Sequence, residues 1–125
     1  MSSRKNFYDL VEEIYEEDPR YRPDSYEFVL AALEYTQHKF KIAGHVSAKI
    51  LLEGIRELAL KEYGPMAKTV LKHWGISSSL DFGNIVFNMV KKKILSKNEE
   101  DTLEDFKEAF NFEQAFQYRI KEVTI

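Results

Sequence analysis

Residues 79–95, SLDFGNIVFNMVKKKIL, constrain the fold more than any other stretch of the chain. At helical spacing Phe82, Ile85, Val86, Phe87, Met89, Val90 and Ile94 spread over an arc of roughly 200°, at about 100° per residue. An apolar arc that wide belongs to a helix covered on several sides. A helix over 79–95 therefore sits at the centre of the fold, and the remaining segments must supply amphipathic partners. The narrow stripe left over carries Asn84, Asn88, Lys91 and Lys92.

Those partners are readable. Phe7, Leu10, Val11, Ile14 and Tyr15 form one stripe of a helix over 6–17, with Glu12, Glu13, Glu16 and Glu17 outside it. Pro19 and Pro23 end it, because proline lacks an amide hydrogen and restricts the residue before it. A second helix begins at Asp24, with Glu27 as capping-box partner. It carries Phe28, Val29, Leu30, Leu33 and Phe40 and ends at Gly44. A third spans 47–63, capped by Ser47. Its inner face includes Gly54, which costs roughly 1 kcal/mol against alanine and so predicts another helix in close approach. In YGP (63–65), Gly64 suits a left-handed corner and Pro65 the first turn of a fourth helix over 65–74. Gly75 ends that helix, and Ser78 or Ser79 caps the central one. A sixth begins near Asp101, with Glu104 as capping partner, and carries Leu103, Phe106 and Phe110. Phe112 and Phe116 are again spaced for a helix, while YRIKEVTI (118–125) reads as a short strand, a hairpin or a frayed tail. The expectation is an all-α single domain, 1–125, of about six helices, with a short C-terminal strand as the open alternative.

A chain of 125 residues buries about two thirds of its unfolded surface, enough for one core. The absence of cysteine excludes disulfides, thiol catalysis and cysteine-ligated metal sites. The first residues show no signal-peptide pattern, and no window approaches the ~20 apolar residues of a membrane span. A cytoplasmic protein is expected. The net charge of −3 is uneven: residues 66–98 sum to +5, from six lysines against Asp81, so the rest sums to −8.

That polarity raises nucleic-acid binding as one reading. Segment 65–98 has the order of a helix-turn-helix, and Asn84, Asn88, Lys91 and Lys92 would face a groove, asparagine reading adenine and lysine guanine or phosphate. The competing reading is a buried helix whose one wet stripe must be polar. An apolar recognition helix, no arginine between Arg56 and Arg119, and the acidic run Glu99–Asp101 favour the second. His38, His45 and His73 lack the three-to-five spacing of helical metal pairs. His45, in GHVS before the third helix, and His73 with Trp74 at a helix end are the candidates for a ligand or an interface. Trp74, Tyr21, Tyr26, Tyr35 and Tyr63 could be partly exposed, as interface aromatics often are, but sealing the edge of the core is the favoured reading for any one of them. No phosphate loop, dinucleotide turn or nucleophile elbow occurs. No catalytic residue, cofactor or metal is assigned.

Three stretches, FYDLVEEIYEEDPRYRPDSYEFVLAAL (7–33), HVSAKILLEGIRELALKEYGPMAKTVLKHWGI (45–76) and DFGNIVFNMV with LSKNEEDTLEDF (81–106), resemble a small family of conserved hypothetical proteins found mainly in planctomycetes and verrucomicrobia. The resemblance implies a bacterial, stand-alone cytoplasmic domain and brings no site residue with it. The leading functional expectation is a non-enzymatic interaction or regulatory module acting through an exposed aromatic and charged surface. Its partner is a protein or a second copy of the chain. Nucleic-acid binding through 65–98 comes second, and a ligand binder or enzyme with a pocket built only by folding comes third.

Overall fold

The computed structural model describes residues 5–96 and 102–118. Among them are helices α1 (Phe7–Glu17), α2 (Pro23–Phe40), α3 (Ala48–Tyr63), α4 (Ala67–His73), α5 (Ser79–Lys91) and α6 (Phe112–Ala115), with 3-10 turns at Gly64–Met66 and Leu103–Phe106. The fold is all-α, and the described residues contain no strand. The proposed C-terminal strand falls on 119–125, outside the described residues. No helix among them is long and apolar enough to cross a membrane.

Helix α5 is covered as its apolar arc requires. Helices α1, α2 and α3 and the 103–106 turn all pack against it. Phe82, Ile85 and Met89 are each 0% exposed. The hydroxyl of Ser79 holds the far side of this cover: it donates to the Phe106 carbonyl at 2.6 Å and accepts from Ala109 N at 3.1 Å. Helices α2 and α3 pack along each other through Gly54, where a Cβ would fall 1.7 Å from Thr36 Oγ1. The close approach read from Gly54 is therefore real, and Thr36 is the residue that uses the space.

Several boundaries differ from expectation for identifiable reasons. The capping box of Asp24 and Glu27 does not form, because α2 starts one residue earlier with Pro23 in its first turn and Arg22 as the cap residue. Helix α2 stops at Phe40 rather than Gly44. Lys41 takes a left-handed conformation (φ 55°), and the Lys41 and Ile42 amides return to carbonyls of the last turn. Helix α5 likewise stops at Lys91, because Lys93 is left-handed (φ 60°) and the Ile94 amide turns back to the Met89 carbonyl.

The single sixth helix becomes a 3-10 turn and a short α6. In one continuous helix Phe106, Phe110, Phe112 and Phe116 would fall within an arc of roughly 160°. The chain breaks at Lys107–Glu108, Glu108 taking φ 51°, and three of the four rings, Phe106, Phe112 and Phe116, become buried. Thr102 and Asp105, rather than Asp101 and Glu104, make the cap, with Thr102 N donating to Asp105 Oδ2 at 2.7 Å. Of the five aromatics weighed between interface and core edge, three are in the core: Tyr21 is 1% exposed, Tyr26 0% and Trp74 7%.

Candidate functional site

Most of the polar stripe of α5 is engaged by the rest of the chain. Asn84 Nδ2 donates to the Tyr21 hydroxyl at 2.8 Å, and that hydroxyl donates to Asp81 Oδ1 at 2.5 Å. Asn88 Nδ2 donates to Asp18 Oδ2 at 2.9 Å and to the Tyr26 hydroxyl at 3.1 Å. Lys92 pairs with Glu17 at 2.8 Å. The other oxygen of Asp81 accepts the Ser77 and Ser78 amides at 2.8 and 3.0 Å, closing the N-terminus of α5. The stripe is polar because it meets the α1–α2 connection, whose tyrosines and aspartate supply partners. An asparagine amide buried without them costs about 1–3 kcal/mol. Of the four residues read as nucleic-acid contacts, Asn84, Asn88 and Lys92 are thus held by the chain itself, and Lys91 is exposed.

This network has an electrostatic signature. Arg20, bonding Asp18 through Nε and Nη2 at 2.8 and 2.7 Å, holds the Asp18 carboxyl well below the usual carboxylate range, and Asn88 adds to the effect. Burial, with the adjacent Asp81 carboxylate, pushes the Tyr21 hydroxyl up. A depressed carboxyl contributes stability above its unfolded value of 3.8, which is lost as pH falls below it. Asp18→Asn removes that contribution. Urea midpoints measured from about pH 5 down to about pH 2 should fall less steeply in the variant than in the wild type.

The lysine-rich segment is also partly neutralised. Lys68 and Lys72 both reach Glu113, at 3.2 and 2.7 Å. His45, His73 and Trp74 do not come together as one site. His73 is exposed at the end of α4, and Trp74 is packed with Phe28 and Tyr63 at ring centroids 5.6 and 5.8 Å apart. His45 lies on the 41–47 loop with Nε2 3.1 Å from Ser96 Oγ. Among the described residues no group of His, Asp and Glu converges as a metal site.

Of the surface that does assemble, the sequence pointed to Trp74 and Tyr63 but not to the carboxylates around them. Two clefts flank the first turns of α2. One, of about 440 Å³, is lined by Phe7, Tyr8, Val11, Glu12, Tyr15 and Pro23 together with Asp24 and Glu27. The other, of about 350 Å³, has Phe28, Tyr63 and Trp74 along its floor, Ala31 and Leu58 beside them, and Glu62 with the same Asp24 and Glu27 at its rim. Neither lining contains a lysine or an arginine. Glu12, Asp24, Glu27 and Glu62 are exposed, and none is in an ion pair among the described residues. Glu13, Glu17, Asp18, Glu53, Glu57 and Glu113 are each matched to a cation, while Asp9, Glu16, Glu34, Glu104, Asp105 and Glu108, outside both linings, are likewise exposed and in no ion pair among the described residues. Burial first, then Glu62, Asp24 and Glu27, raises the Tyr63 hydroxyl above its ordinary value.

A sequence signal for this surface exists. Tyr8, Glu12 and Tyr15 recur at i, i+4 and i+7, a second stripe of α1 beside the core stripe. The core stripe claimed Tyr15, and Glu12 was grouped with the solvated acids. Asp24 and Glu27 were absorbed into a capping motif. Comparison of the chain with protein-family models, with curated proteins and with solved structures finds no match. The functional reading therefore rests on the surface.

Proposed function

We propose that the protein is a non-enzymatic interaction module that docks a basic segment of a partner protein on the face formed by α1, the first turns of α2 and the end of α3. One observation carries this: two aromatic-floored clefts share a pair of unneutralised carboxylates, Asp24 and Glu27, and no cation lines either. Ring faces and carboxylates both attract ammonium and guanidinium groups. Two adjacent clefts suit successive basic side chains of an extended segment. The bacterial cytoplasm implied by the resemblance noted above is the setting we propose for it.

The test is fluorescence anisotropy of a labelled short peptide alternating arginine and glycine, with the full chain at low salt. Asp24→Asn/Glu27→Gln should weaken binding about tenfold or more, equivalent to about 1.4 kcal/mol. Glu104→Gln/Glu108→Gln removes the same charge from exposed positions outside the clefts and should leave binding nearly unchanged. Equal loss in both variants would reduce the interaction to net charge, and no binding at low salt would reject the module.

A further inference from the structure

We infer that the cavity between α2, the 41–47 loop and the C-terminal half of α5 binds a small, mostly apolar molecule carrying one hydrogen-bond-accepting head group, held at His45 and Ser96. The cavity measures about 320 Å³, at the lower end of the ~300–1,000 Å³ common for small-molecule sites. It explains a division within the α5 arc. Phe82, Ile85 and Met89 are fully buried, whereas Val86 and Val90, at i and i+4, and Ile94, just past the helix end, are only half-buried and line this cavity with Leu33, Leu51 and Phe106.

The walls are held in place by the chain. Gln37 Nε2 donates to the Gly44 carbonyl at 2.8 Å and fixes the 41–47 loop to α2. The reversal at Lys93 returns the Ile94 amide to Met89 at 2.9 Å, with Ile94 and Leu95 both in the lining. The segment after Ser96 in the sequence, KNEED (97–101), has no apolar side chain to contribute.

The head-group assignment comes from the edge. His45 Nε2 and Ser96 Oγ, 3.1 Å apart, bring two segments 51 residues apart in sequence to one hydrogen bond beside an apolar lining. With Nε2–H donating to Oγ, the serine hydroxyl keeps its own hydrogen free to donate to an acceptor. A carboxylate or an alcohol oxygen on an alkyl tail fits that pair. An ammonium group, which only donates, fits it less well.

Thermal shift with octanoate and with octylamine, which share a tail length class and differ in the head, tests the site on the full chain. Octanoate should raise the melting temperature saturably, as a ligand of the native state must, and octylamine should do so at least about tenfold more weakly. His45→Ala should weaken octanoate about tenfold. Val90→Phe, which adds a ring to the cavity wall, should abolish the shift. Should Val90→Phe fail to fold, methyl NMR of the wild type decides: octanoate must move the Val86, Val90 and Ile94 signals. No saturable shift, an undiminished shift in a folded Val90→Phe, or octylamine binding as tightly as octanoate would each overturn the assignment.

Discussion

Gly75→Ala should destabilise the protein by at least about 3 kcal/mol. Read thermally, that lowers the melting temperature by about 10 °C or more. Gly75 has φ 95°, a conformation that L side chains rarely adopt. A Cβ there would also lie 2.1 Å from the Arg20 carbonyl oxygen and 3.6 Å from the Tyr21 ring. The first contact is with backbone, so no side chain can rotate away. Nor is the backbone free to retreat. Arg22 N donates to the Trp74 carbonyl at 3.0 Å, and Gly75 N to the Lys72 carbonyl at 3.0 Å. Arg20 itself is tied to Asp18 through its amide and its guanidinium. Gly44→Ala supplies the control: φ is 100° there, but nothing lies within 4 Å of an added Cβ. Its cost reads the backbone strain alone, about 1–2 kcal/mol. The excess at Gly75 measures how tightly the α1–α2 connection is locked against the α4–α5 corner. Urea midpoints of the two variants give both numbers. Equal costs would show that the corner can open.

Gly54→Ala is the second large effect, and its sign is informative. Within a helix, alanine is favoured over glycine by about 1 kcal/mol. At Gly54 the added methyl would fall 1.7 Å from Thr36 Oγ1, whose hydroxyl donates to the Ala32 carbonyl at 2.6 Å inside the α2–α3 contact. Overpacking of this kind costs about 2–3 kcal/mol, so the variant should be less stable despite the better helix former. Thr36→Ala removes the 1.7 Å contact and leaves a Cβ 2.9 Å from the new methyl, so part of the clash remains. In the double variant Gly54→Ala should therefore cost less, with a coupling energy of about 1 kcal/mol or more in the cycle. Additive costs would mean that the two helices part without reference to Thr36.

The central position of α5 was legible because seven apolar residues at helical spacing leave a chain no other way to shield them. Gly54 was legible because a glycine on an apolar helix face has few other uses. What escaped lay in residues with two roles. Asn84 and Asn88 look alike whether they meet solvent, a base edge or a tyrosine hydroxyl, and only folding brings Tyr21 and Tyr26 to them. Trp74 at a helix end gave no sign of Phe28 and Tyr63 packing around it. The left-handed Lys41, Lys93 and Glu108 carry no glycine or asparagine signature, so the ends of α2 and α5 and the break after Phe106 fell beyond propensity. The acidic clefts required α1, α2 and α3 to meet before Glu12, Asp24, Glu27 and Glu62 shared one surface.

The interaction proposal is tested most directly by titrating the full chain with the arginine–glycine peptide and following the aromatic NMR signals. The ring resonances of Tyr8, Tyr15 and Tyr63 should shift together and saturate at one peptide concentration, because all three line the paired clefts. Stationary signals from those rings, with shifts confined to Phe110 or Tyr118 elsewhere on the molecule, would contradict the assignment of this face.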